Sequence, residues 1–74
     1  MNNTLDIHLK IGQKIKKIRL KRGMTQQDVS EITGIRLEYI DKIEHGKACR
    51  ITLKHLEKIT NSLNINLLKF LETV

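Results

Sequence analysis

The sequence predicts an all-α fold of five short helices. Three observations carry that reading. Apolar residues recur at three- and four-residue spacing in segment after segment, and no segment has the pattern of a strand. Proline is absent, so no segment is broken by a ring that fixes φ and removes an amide. Small polar residues precede the apolar runs (Thr25, Thr52, Asn66), and Gly23, Gly34, Gly46 and Asn64 follow them.

The first helix is expected from about Ile7 to Arg22. Ile11, Ile15 and Ile18 lie at i, i+4, i+7 on one face, and Lys10, Lys14, Lys17 and Lys21 repeat on a neighbouring one. Asp6 or Thr4 is placed to cap its start, and Gly23 suits a left-handed end. The second helix opens at Thr25, with Asp28 three residues on as a variant capping box. Val29 and Ile32 supply its apolar face and Gly34 ends it. The third runs from about Leu37 to His45, with Ile40 and Ile43 inward and Gly46 as its stop. A basic loop, GKACRI, leads to a fourth helix capped by Thr52, with Leu53, Leu56, Ile59 and Leu63 on its apolar face. Asn66 caps a short fifth helix, LLKFLET.

The 74 residues suit one small domain, 1–74. So small a core is marginally stable, and the single cysteine, Cys49, offers no disulfide staple. Dimerisation is an obvious source of added stability. No apolar run is long enough to span a membrane, and the first ten residues lack the basic and apolar regions of a signal peptide, so a cytoplasmic protein without a membrane partner is expected. The formal net charge is +6, which favours a polyanion as partner. Tyr39 and Phe70 are the only aromatic residues, too few for the stacking platforms that hold single strands. No catalytic constellation or glycine-rich phosphate loop is present. His8, His45 and His55 are scattered, and none pairs with Cys49 at a metal-ligand spacing. Neither enzyme nor metal nor cofactor is expected.

Two short helices around a glycine turn, from Thr25 to Gly46, have helix-turn-helix dimensions. The stretch IGQKIKKIRLKRGMTQQDVSEITGI…YIDKIEHGK resembles the Cro and phage-repressor helix-turn-helix family. Its carriers include Ile11-Gly12, Arg19, Thr25-Gln26, Val29, Gly34-Ile35, Ile40 and Ile43-Glu44, and the tail LEKITNSLNINLLKFL resembles the family's closing helices. Within the family, IKKIRLKRGMTQQDV and YIDKIEHGK…ITLKHLEKI look most like restriction–modification controller proteins. The resemblance implies a lambda-repressor-like fold and a homodimeric regulator on palindromic double-stranded DNA. The helix-turn-helix would lie at about 25–46 and the dimerisation region at about 52–74.

The resemblance also implies roles for single residues. Gln26, with Gln27 beside it, matches the glutamine that binds a backbone phosphate from a helix N-terminus, where free amides favour an anion. Arg19 and Glu44 match a pair that bridges the first helix to the reading helix. Arg36, Leu37, Glu38 and Lys42 face the groove, and Asp41 lies near them. Arg36 stands where an N-cap oxygen is usual and can reach a phosphate or a guanine edge instead. Leu37 offers apolar contact, to a thymine methyl or to a partner protein. Glu38 can accept from cytosine N4 or can exclude wrong sites. Lys42 can reach a phosphate or a guanine. Tyr39 matches a controller tyrosine whose hydroxyl is available to a phosphate.

The segment 35–45 has Arg36 and Lys42 against Glu38, Asp41 and Glu44, a formal charge of −1 with histidine neutral. Affinity must therefore come from elsewhere, and Lys47 and Arg50 of the following loop are the strongest phosphate candidates. Most of the first helix's lysines suit a solvated face. The loop departs from the common controller form by about one extra residue, and Cys49 falls where asparagine is frequent. A redox switch and an inert small residue are both open to Cys49. The tail residues Leu67, Leu68, Phe70 and Leu71 exceed what one short helix buries internally and mark a dimer interface. The rival reading is a protein-interaction module on the same fold, such as an antitoxin or antirepressor, which would use Leu37, Glu38 and the tail.

Overall fold

The computed structural model describes residues 4–48 and 50–74, with side chains from Ile7 onward. Cys49, and with it any redox reading, lies outside the described residues. Five helices follow in order: α1 Thr4–Lys21, α2 Gln26–Thr33, α3 Leu37–Glu44, α4 Leu53–Ser62 and α5 Leu67–Glu72. Helix α1 begins before Ile7, so Thr4 and Asp6 are helical residues and not the caps expected of them.

The caps explain the later boundaries. The Thr25 hydroxyl accepts from the Asp28 amide at 3.0 Å, and the Asp28 carboxylate accepts from the Thr25 amide at 2.9 Å. This is a full capping box. Thr52 accepts from the His55 amide, and Asn66 from the amides of Leu68 and Lys69. Arg36 makes no side-chain cap. Asn64, at φ 60, makes the turn between α4 and α5.

The α2–α3 turn is built from both ends. Gly34 adopts φ 77, a conformation that costs a residue with a Cβ about 1–2 kcal/mol. Its amide donates to the Ser30 carbonyl at 2.8 Å, and the Ser30 hydroxyl donates to the Ile35 carbonyl at 2.5 Å. The Thr33 hydroxyl accepts from the Ile35 amide at 3.1 Å. Ile35 then drops into the core.

Helix α1 packs on α3, α2 on α3 and α4, and α4 on α5. The contact of α1 with α3 depends on Gly12. A Cβ there would sit 2.0 Å from the Ile43 carbonyl oxygen and 2.9 Å from that of Glu44, so only hydrogen lets the backbones meet. The core gathers Ile11, Ile15, Val29, Ile35, Ile40, Ile43, Ala48, Leu56, Ile59, Leu63 and Phe70, with Ile18 packed against it. Three expectations about burial are corrected. Ile32 and Leu53 are more than half exposed, because each lies at the flank of its helix's apolar face. Phe70, expected at an interface, is fully buried in the core of its own chain. The Lys14 ammonium donates to the Thr73 carbonyl and hydroxyl oxygens, holding the end of α5 against α1. That lysine therefore leaves the solvated stripe. Among the described residues no helix is long and apolar enough to cross a membrane.

Candidate nucleic-acid interface

The inner edge of α3 carries a closed polar network. Arg19 and Glu44 are 6% and 4% exposed. Arg19 Nε donates to Glu44 Oε2 at 2.6 Å and its Nη2 to Oε1 at 3.0 Å, a two-pronged fit of planar guanidinium to carboxylate. Arg19 Nη1 donates to the Met24 carbonyl oxygen at 2.8 Å. Buried charge is tolerated here because each group meets its opposite and every guanidinium nitrogen has an acceptor.

Gln26 joins this network. Its Nε2 donates to Glu44 Oε1 and to Asp41 Oδ1, both at 3.0 Å. Both amide protons of Gln26 are thus directed at α3, and Gln26 ties α2 to α3. The Thr25 cap takes the amide of Asp28 and not the first-turn amides of Gln26 and Gln27. The Gln27 side chain donates to Glu31 at 3.1 Å on the outer surface of α2. Asp41, placed near the groove by the sequence reading, turns instead toward Gln26 and His45.

The outer face of α3 presents Glu38 and Lys42, both exposed and one helical turn apart. Leu37, 39% exposed, shares the flank of Asp41 at i and i+4. Beside this face runs an open groove of about 890 Å³, walled by α3, the loop and α4. Five cations line it, Arg36, Lys42, Lys47, Arg50 and Lys58, against one carboxylate, Glu38. The structure thus brings Arg36, Glu38, Tyr39, Lys42, Lys47 and Arg50 together. It leaves Gln26, Gln27 and Leu37 outside that groove. Lys58 and His55 were missed by sequence reasoning. Their positions three and six residues beyond the Thr52 cap share one face of α4, which is the signal that would have found them.

Tyr39 lines the same groove. Its hydroxyl donates to the Arg50 carbonyl oxygen. Its ring meets His55 edge-on, with centroids 5.2 Å apart and planes at 64°. Tyr39 thereby ties α3 to the loop backbone that carries Arg50. Among the described residues, no group of three or more His, Cys, Asp and Glu side chains is placed to hold a metal ion.

The model of a helix-turn-helix domain matches residues 12–74, which include this whole arrangement. The chain belongs to the helix-turn-helix family. The control protein C.BamHI of Bacillus amyloliquefaciens is 35% identical to this member over 63 residues, covering 84% of the chain and 76% of that protein. The wild-type restriction–modification controller protein C.Esp1396I has a solved structure that superposes with a TM-score of 0.82 at 35% identity, covering 97% of this chain and 91% of that one. A stretch 39% identical over 56 residues also occurs in a glutamine–fructose-6-phosphate aminotransferase of Methanocaldococcus jannaschii, where it covers 76% of this chain and 5% of that protein. The chain spans about half the length of curated helix-turn-helix regulators such as SinR of Bacillus subtilis.

Proposed function

We propose that the protein is a sequence-specific transcriptional regulator that binds a palindromic operator as a homodimer, in the manner of restriction–modification controllers. It binds and does not catalyse, and it works in the cytoplasm on double-stranded DNA. The observation that carries this reading is the cationic groove beside the exposed face of α3. Phosphate contacts supply affinity without sequence information, and a helix in the major groove supplies discrimination. Lys47, Arg50 and Lys58 with the α2 amides suit the first task. Arg36, Leu37, Glu38 and Lys42 suit the second.

The related controller C.Esp1396I forms a tetramer on its natural 35 base-pair operator, which supports both DNA binding and self-association here. Within residues 52–74, Leu68 at 70% and Leu71 at 40% exposure form the apolar surface that favours a dimer. Leu67 is partly buried against the core and Phe70 lies inside it, so the interface centres on the other two. Two-fold pairing sets the α3 helices about one DNA turn, roughly 34 Å, apart.

Titration of duplex DNA across a salt series tests the phosphate assignment. Lys47→Ala and Arg50→Ala should each weaken binding and flatten the log–log salt slope by about 1.8, since each removes one phosphate contact from both protomers of the dimer. Unchanged affinity and slope in both would remove the groove from the interface. Leu68→Asp should shift sedimentation toward the monomer, and a variant that stays dimeric rules out the α5 surface.

A further inference from the structure

The three acids of α3 differ in what they touch. Glu44 is held by Arg19 and Gln26, and Asp41 by Gln26. Glu38 takes part in neither ion pair found among the described residues, and it stands exposed on the outer face. Lys42 follows it by one turn on the same face, equally uncommitted and equally exposed. We infer that this pair reads a single C·G base pair, Glu38 accepting from cytosine N4 and Lys42 donating to the O6 and N7 of its guanine. The inference rests on the DNA-reading role proposed above.

The chemistry selects that base pair over the other three orientations. A carboxylate only accepts, so it needs an amino group in the major groove, and cytosine N4 and adenine N6 are the two on offer. Adenine sets its N7 acceptor beside N6, which repels a carboxylate oxygen. Cytosine has no such acceptor, and the oxygen across the pair belongs to guanine, where a cation is needed. An acid followed by a lysine at i+4 brings the two complementary groups side by side, with Cβ atoms about 5–6 Å apart. On G·C or T·A, Glu38 meets acceptors or a methyl group while desolvated, and on A·T its amino partner comes with a repelling N7, so the residue that weakens general affinity sharpens discrimination.

Selection of bound sites from a random duplex library by the full chain tests this. The wild-type protein should enrich an inverted repeat with one invariant C·G pair in each half-site. Replacing that pair by T·A should weaken binding roughly 5- to 150-fold, the range of one good base contact. Glu38→Gln should move the preference at that one position to adenine, since a glutamine amide pairs with N6 and N7, and leave the rest of the site intact. Glu38→Ala should make the position degenerate. If both variants enrich the wild-type site unchanged, Glu38 faces something other than a base, a partner protein included, and the inference fails while the regulator reading stands. If the wild-type protein enriches no sequence, both fail.

Discussion

Glu38 and Glu44 lie six residues apart on one helix and do opposite work. Glu44 is buried, and three hydrogen bonds from two other helices end on its carboxylate. Glu38 is exposed at the lip of a cationic groove. The first charge is bound inside the protein, so it orients α3 against α1 and α2. The second is left for the outside. Helix α3 thus separates the charge that holds its pose from the charge it leaves exposed, and a count of acids along the helix cannot distinguish them.

Three substitutions test that separation by chemical denaturation. Glu44→Ala leaves the Arg19 guanidinium buried without its counter-charge, and it should cost about 3–5 kcal/mol of stability. A loss under 1 kcal/mol would mean that the bridge does not hold α3. Gln26→Ala removes two hydrogen bonds to carboxylates at a half-buried edge, with an expected loss of about 1.5–3 kcal/mol. If duplex binding fell sharply with stability unchanged, that side chain would carry a phosphate contact. Glu38→Ala should stay within about 0.5 kcal/mol of the wild type. A larger effect would place Glu38 on the structural side of the comparison.

Much of the fold was legible in local chemistry. Thr25 with Asp28, Thr52, Asn66 and the left-handed positions Gly23, Gly34, Gly46 and Asn64 mark boundaries because caps and turns depend on neighbours a few residues away. Ile40 and Ile43 follow helical period. Ile32 and Leu53 misled for a local reason: they flank an apolar face, and period alone does not say how wide the covered stripe is. Phe70 and Leu71 show the same limit. Both are apolar and adjacent, yet one fills the core and the other faces solvent.

The site was less legible. The family resemblance paired Arg19 with Glu44, a match that no local rule supplies because 25 residues separate them. It also assigned Gln26 and Tyr39 outward roles, and it did not give their bonds to Asp41, Glu44 and the Arg50 carbonyl. Lys58 joins the site because α4 packs with the face that carries it and His55 toward the groove.

By itself the sequence determined the helices, their caps and turns, the basic balance and the family, because each depends on residue types at short and regular spacing. The tertiary structure alone decided which charges are spent and which are free. That depends on which side chains lie within about 3 Å of one another after α1, α2 and α3 have packed. Gly12 makes this packing possible by leaving room for the α3 carbonyls, and it thereby sets Glu44 inward and Glu38 outward.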